Sequence, residues 1–376
     1  MNVGILSWML DRKRTGVNNY LYNLIRNMIK NGKGNEISLI HYQRSSDTIY
    51  SQVKNDIIIP DIPFKLTSAL GIPRAVKNAD IDLLHIPVHW YNQITPFFLN
   101  RNIKKVITIH DLTPILFPEM HTRDTNITWE RSLKLIKNRT DIIISDSIST
   151  KNDCIKLLNI PEKRIRVIPL AADERYRPIK KKELIIQEIK NRYNIQYPFI
   201  LFVGTLEKRK NVPTLIQAFY KLKKSQIEHK LVIVGGKGWK YNQIFDLIEE
   251  LKLQKDVIFT DYVSDEDLVK LYNTADIFVY PSLYEGFGLP PLEAMACGCP
   301  VITSNTSSLP EVVGDAGIMI NPMDIDSLTT SMLKILTNPE LKEEMGKKSL
   351  ERAKMFSWKE AARETWKLYE DILDNK

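Results

Sequence analysis

Short apolar runs of strand length alternate with stretches of helical periodicity along almost the whole chain, and the alternation breaks only once. Strands alternating with helices imply a parallel sheet with helices on both faces. In the first half the runs are 3–7, 37–42, 57–59, 83–86, 106–110, 142–145 and 166–168. Between them, 16–29 reads as a helix with Val17, Tyr20, Leu21, Leu24, Ile25 and Met28 on one face. A second helix is expected around 128–138, and Ser147 caps a third that runs to Leu158. Residues 173–178 (DERYRP) break the pattern, and 180–194 reads as a short surface helix. The alternation then restarts, with strands at 199–203, 230–234, 257–260, 277–280, 301–303 and 317–320 and closing helices at 325–337, 339–355 and 358–373. A length of 376 residues suits two domains. The expected architecture is therefore α/β. Two Rossmann-like, doubly wound domains span 1–172 and 173–357, and a C-terminal helix at about 358–376 packs back on the first. Two such domains leave a cleft at the carboxyl ends of their strands, where ligands bind.

Other classes are set aside by what the chain lacks. No apolar run reaches the ~18 residues of a membrane span. The opening MNVGIL is too short for a secretory signal and reads as a strand. Cys154, Cys297 and Cys299 lack metal or redox spacing and are expected to be reduced and buried, as in a cytoplasmic protein. The net charge of +8 is unevenly placed: residues 1–172 carry +9 and the remainder −1. No nucleic-acid motif accompanies that excess. It fits either a generic solvated surface or contact with an anionic membrane, peripheral at its inner face.

One stretch carries most of the chemistry. Residues 276–304 (DIFVYPSLYEGFGLPPLEAMACGCPVITS) read as strand, glycine loop, helix and strand. The start of a helix has unpaired N–H groups and roughly +0.5 of an elementary charge, so anions settle there. Pro290 and Pro291 lack an N–H, which leaves Gly286, Phe287, Gly288 and Leu289 as donors. Glu285 precedes the loop and Glu293 is expected in the helix's first turn, with seven residues between them. A carboxylate beside a phosphate site is repelled unless it faces hydrogen-bond donors, and sugar hydroxyls are such donors. The plainer reading makes Glu293 a dipole-favoured residue and Glu285 a solvated one.

A second loop, 204–211 (GTLEKRKN), follows the first strand of the second half. Arg209 and Lys210 sit beyond a strand's carboxyl end, where adjacent cations can neutralise a diphosphate; the alternative is a solvated basic loop. His110 ends an apolar strand and is followed by Asp111, a place better suited to a ligand than to a core. His41, His85, His89, His121 and His229 show no metal-ligand spacing. Residues 234–238 (VGGKG) form only part of a dinucleotide fingerprint and read as a turn. Of the acid pairs, Asp265/Asp267 and Asp324/Asp326 read as helix caps, while Asp80/Asp82 precedes a strand. No metal and no cofactor are expected.

Glu285, Glu293 and the intervening GFGLPPL, followed by EAMACGCPV, resemble the signature of the family-4 retaining glycosyltransferases of the GT-B fold. The resemblance is closest to bacterial and archaeal mannosyltransferases of surface polysaccharide biosynthesis. It implies two Rossmann-like domains facing each other across a cleft, the first for the acceptor and the second for a nucleotide sugar. It implies that Glu285 and His110 contact the donor sugar and that Glu293 holds the ribose. It implies that Gly204, Thr205, Arg209 and Lys210 form the phosphate loop, with Thr205 where many members carry Arg. Gly16 would lie beside the phosphates, and Tyr262 and Val263 would receive the base. The expected donor is GDP-mannose, and the acceptor is a glycan or lipid-linked hydroxyl. A nucleotide-sugar epimerase of the same fold, or a UDP-sugar glucosyl or N-acetylhexosaminyl transferase, is the rival reading.

Overall fold

The computed structural model describes residues 1–11, 16–43, 47–59, 71–87, 102–180, 182–195, 198–236, 238 and 242–374. The chain divides into two compact units, one made of Met1–Leu170 with Ser357–Lys376 and the other of Ala171–Phe356.

The first unit is built on a parallel sheet of β1 (Val3–Leu6), β2 (Ile37–His41), β3 (Asn55–Ile58), β4 (Leu83–Ile86), β5 (Lys104–Ile109), β6 (Ile142–Ser145) and β7 (Ile165–Val167). Their spatial order is β3-β2-β1-β4-β5-β6-β7. The second unit's parallel sheet holds β8 (Phe199–Val203), β9 (Lys230–Val234), β10 (Val257–Asp261), β11 (Ile277–Tyr280), β12 (Val301–Ser304) and β13 (Ile318–Ile320), ordered β10-β9-β8-β11-β12-β13. Both are doubly wound. Strand order reverses between β1 and β4 in one sheet and between β8 and β11 in the other. At such a reversal the two following loops diverge to opposite faces and leave a crevice. In the second unit the two loops are 204–211 and 281–288, the ones singled out by composition.

The strands are legible because both faces are covered. Parallel strands buried on two sides read as continuous apolar runs, and β1, β4, β8 and β11 are buried at every position. In the second unit the core is aromatic along β8 and β11. Phe202, Tyr280, Phe278 and Tyr272 form successive ring contacts with centroids 5.5–5.8 Å apart. In the first unit the helix Gly16–Met28 buries Tyr20, Leu21, Leu24 and Ile25. The C-terminal helix Trp358–Asp374 packs on it, with Trp358 against Tyr20 and the Tyr369 hydroxyl 2.7 Å from His85 Nδ1.

Some boundaries differ from the expectation. The helix expected at 128–138 runs over Arg123–Arg139, because the Thr122 side chain accepts the Thr125 amide and starts the helix before its apolar pattern begins. The helix Lys182–Tyr193 is not only a surface element: Ile185 and Ile189 reach the second unit's core. A helix at Ile72–Asn78 and short 3₁₀ turns at Trp8–Asp11 and Thr48–Gln52 carry no clear apolar period and were not anticipated. All three cysteines are buried and none is in a disulfide. Among the described residues, no helix is long and apolar enough to cross a membrane.

Candidate active site

In the second unit the two loops at the strand-order reversal are tied to each other. The Arg209 carbonyl accepts from the Leu283 amide at 2.8 Å and from the Ser282 hydroxyl at 3.1 Å. Asn211, in the left-handed region at φ 55°, donates its side-chain amide to the Pro281 and Pro322 carbonyls and accepts from Thr214. A third loop presses on the first. Gly235 sits at φ 145°, and a Cβ there would stand 2.0 Å from the Gly204 carbonyl oxygen. That approach explains the glycine of 234–238 without any dinucleotide; Lys237 of that stretch lies outside the described residues.

This scaffold holds Glu285 in a buried ionic cluster. One carboxylate oxygen accepts from Lys210 Nζ at 2.7 Å and from the Ser282 hydroxyl at 2.6 Å. The other stands 2.8 Å from Arg209 Nη1. Lys210 Nζ also donates to the Tyr280 hydroxyl, and Arg209 Nη1 to the Tyr284 carbonyl. The Glu285 backbone is pinned as well, its amide to Ser307 and its carbonyl to Ser308. Only 7% of Glu285 and 8% of Lys210 is exposed, so neither is the solvated surface residue of the plainer reading. Burial alone would raise the Glu285 carboxyl; Arg209, Lys210 and the two hydrogen bonds overcome it and hold the group at about 2. Gly204 lies beside the cluster, and Thr205 is exposed next to it.

The glycine loop then enters the helix Leu289–Ala296 through Gly288, at φ 121°. The amides of Phe287, Gly288 and Leu289 donate to no other described residue, which leaves three N–H groups at a helix start able to receive an anion. The Phe287 ring is buried edge-on to Phe356 and anchors the loop. Glu293 is not where the sequence put it. The helix begins at Leu289, one residue before its prolines, so Glu293 falls in the second turn, beyond those amides. Its carboxylate accepts from the Tyr272 hydroxyl at 3.0 Å, with Tyr176 a second donor. Burial, with Asp265 and Asp173 nearby, pushes this carboxyl up to about 8. Two glutamates seven residues apart thus sit in opposite electrostatic settings. Tyr262, half exposed at the end of β10, lies beside Asp265 and Arg175; Val263 is buried.

In the first unit His110 follows β5, and both of its ring nitrogens are engaged. Nδ1 lies 2.5 Å from Asp146 Oδ2, and Nε2 lies 3.1 Å from the Pro87 carbonyl. A ring that donates from both nitrogens is an imidazolium. Burial works against that charge, but Asp146 and then Asp111 outweigh it and raise the His110 value. The Tyr20 ring stands edge-on to His110 at 4.7 Å. Its hydroxyl continues through Thr108 to His85 and Tyr369. His85, pushed down to about 3 by burial and by His110, is neutral. Gly16 opens its helix exposed, and a Cβ there would meet nothing within 4 Å. The loop 12–15 before it, like His89, lies outside the described residues.

Asp146, Ser282, Tyr280, Tyr272 and Tyr176 complete these clusters and were not singled out by sequence. Asp146 and Ser282 had a signal, since each directly follows, or nearly follows, the end of an apolar strand. The acid pairs do other work: Asp324 caps the helix Ile325–Leu336, Ser264 rather than Asp265 caps Asp265–Thr274, and Asp82 accepts the Asn2 amide. His41 and His229 are held by Asp56 and Asp276. Among the described residues, no group of three or more His, Cys, Asp or Glu is gathered as a metal would require.

Comparison with known proteins gives three findings. Residues 14–176 match the family model Glycosyltransferase Family 4, and residues 185–352 match Glycosyl transferases group 1. The O-antigen chain mannosyltransferase B of Escherichia coli is 36% identical over 276 residues, covering 73% of this chain and 72% of that protein. The serotype-specific mannosyltransferase WbdA of the same organism is 36% identical over 264 residues, but this chain spans only 32% of its length. The D-inositol 3-phosphate glycosyltransferase of Corynebacterium jeikeium is 30% identical over 332 residues, 83% of this chain and 78% of that protein. Among solved structures, sucrose-phosphate synthase from Thermosynechococcus elongatus superposes with a TM-score of 0.76 at 21% identity, covering 100% of both chains. Anabaena HepE, in complex with UDP and glucose, gives 0.77 at 17% identity, covering 99% of this chain and 100% of that one. At these identities the likeness is one of fold.

Proposed function

The chain belongs to the family-4, group-1 glycosyltransferases of the GT-B fold, and from that premise we propose a retaining hexosyltransferase of surface polysaccharide assembly that takes mannose from GDP-mannose. The observation that carries the reading is the Glu285 carboxylate, held ionised between Arg209 and Lys210 at the reversal of strand order, next to three amides at a helix start. In this reading the second unit receives the donor. Arg209 and the amides of Phe287, Gly288 and Leu289 counter the diphosphate's charge. Lys210, buried beneath, keeps Glu285 ionised and oriented toward the sugar. Glu293 takes the ribose hydroxyls, and the segment at Tyr262 and Val263 takes the base. His110 in the first unit, an imidazolium held by Asp146, offers its positive charge to the sugar. As the diphosphate departs, positive charge grows on the sugar carbon. The acceptor hydroxyl of a glycan or lipid-linked saccharide then enters from the face the diphosphate leaves, and the anomeric configuration is kept.

Mannose is favoured by the relatives named mannosyltransferases. A UDP-hexose is the second reading, supported by HepE, which shares the fold and binds UDP and glucose. A panel of nucleotide sugars, scored by nucleoside diphosphate release in EDTA, decides between them. Release from GDP-mannose at least tenfold faster than from UDP-glucose or UDP-N-acetylhexosamines is expected, and undiminished by the chelator. A preference for a UDP-sugar overturns the donor assignment, and rescue by Mg²⁺ or Mn²⁺ overturns the charge-neutralising role given to Arg209 and the amides.

The uneven charge supports a further part of the reading. The first unit carries +8 and the second is neutral. We place that unit against an anionic membrane surface on the cytoplasmic side, where each basic residue near the headgroups contributes about 1 kcal/mol and is screened by salt. Co-sedimentation with liposomes should rise with the fraction of anionic lipid and fall with salt; binding indifferent to both removes the membrane from the account.

A further inference from the structure

The cation assigned to the diphosphate, Arg209, is already occupied, as is Lys210 beside it. Glu285 accepts from Lys210 at 2.7 Å and stands 2.8 Å from Arg209, with both side chains largely buried. Glu207, 3.5 Å from Arg209 Nη2, supplies a second negative charge. Among the described residues of this cluster, two carboxylates thus balance two cations. A diphosphate brings about two further negative charges to Arg209, beside the Glu285 carboxylate. Like charges a few ångströms apart in a partly buried site repel strongly, so the cluster cannot keep its arrangement and bind the diphosphate as well.

Resting on the proposed function above, we propose that Glu285 is an internal competitor for the donor's diphosphate, which takes Arg209 from it on binding. The two carboxylate oxygens are held unequally, and this sets what moves. Oε1 is fixed by two partners, Lys210 and Ser282. Lys210 is itself held by the Tyr280 hydroxyl. Oε2 faces Arg209, whose side chain is slightly more exposed than that of Lys210. Withdrawal of Arg209 toward a diphosphate leaves Oε1 in place and frees Oε2 to accept from a sugar hydroxyl. The carboxylate thus becomes available to the sugar only when a diphosphate has arrived with it. After the sugar has been transferred, re-pairing of Glu285 with Arg209 opposes retention of the nucleoside diphosphate and favours its release. A residue placed for the chemical step therefore also sets product affinity.

Titration calorimetry with GDP and UDP, neither of which carries a sugar, tests this. Glu285→Gln keeps the side chain's shape and removes its charge. It should bind whichever nucleoside diphosphate the wild type binds at least tenfold more tightly, with little change for GMP or UMP, which lack the second phosphate. Equal or weaker diphosphate binding by the folded variant overturns the inference and leaves the proposed function standing. Absence of any nucleoside diphosphate binding by the folded wild type overturns both. Should Glu285→Gln not fold, Glu285→Asp, whose shorter carboxylate reaches Arg209 less well, should tighten diphosphate binding by a smaller factor; unchanged affinity there counts equally against the proposal.

Discussion

Glu285→Ala should reduce kcat by about 10²–10³-fold, the usual consequence of removing one group that meets charge developing in the transition state. Donor KM should stay the same or fall, because the lost contact forms as the reaction proceeds and a competing anion is lost with it. The same substitution should lower stability, since removing one partner of a buried ion pair strands the other charge at a cost of about 3–5 kcal/mol. Here two cations, Arg209 and Lys210, lose their partner. A pH signature accompanies this. The Glu285 carboxyl sits at about 2 in the folded protein against 4.5 as its ordinary value. Its contribution is therefore complete above 4.5 and is lost as pH falls toward 2. Acid unfolding of Glu285→Gln should lack that step. Steady-state kinetics, with melting temperature as the control for folding, measures all of this. Near wild-type kcat in a folded Glu285→Ala protein removes the residue from the chemistry.

Glu293→Ala should do the opposite, raising donor KM by about 10–100-fold and leaving kcat within a few-fold. In the proposed role the ribose hydroxyls do not react, so their contact is equal in ground and transition states, and leaving them without a partner in a buried site costs about 1–3 kcal/mol. Its pH signature is also reversed. With its carboxyl raised to about 8, the folded protein keeps a proton that the unfolded chain releases near 4.5. Stability is then full below 4.5 and declines as pH rises through 8, by a few kcal/mol at about 1.4 kcal/mol per unit. Glu293→Gln should abolish that alkaline decline, visible as a melting temperature that no longer falls between pH 6 and 9. A decline of unchanged size in the variant means that Glu293 is not the group responsible.

These opposite behaviours show where sequence reasoning reached and where it stopped. The central strands β1, β4, β8 and β11 were legible because burial on both faces makes them near-continuous apolar runs, whereas the edge strand β3 opens with Asn55 and Asp56 and only its second half showed. The two loops that meet at the Glu285 cluster stood out because glycine, proline and adjacent cations gather at the ends of two strands. The state of Glu285 was not. Lys210 lies 75 residues away in the sequence with Arg209 beside it, and the two cations meet Glu285 only because the sheet order sets β8 beside β11. The Glu293 environment was hidden for the same reason: Tyr176 and Tyr272 come from the segment after the chain enters the second unit and from the helix Asp265–Thr274. Its turn was misjudged because Gly288, at φ 121°, lets the helix start before the prolines rather than at them. Asp146 reached His110 through the pairing of β5 with β6, which spacing along the chain does not reveal.

As a hexosyltransferase, this chain should break the bond between a hexose and a diphosphate and deliver the hexose to a hydroxyl. The most direct test incubates the protein with GDP-mannose and a mannose-terminated, lipid-linked oligosaccharide, followed by mass spectrometry and proton NMR of the acceptor. An acceptor enlarged by one hexose in the donor's own anomeric configuration is expected, with GDP released in equal amount and both products formed about 10²–10³-fold more slowly by Glu285→Ala. An unmodified acceptor, with the nucleotide sugar recovered intact or epimerised at a sugar carbon, would contradict it.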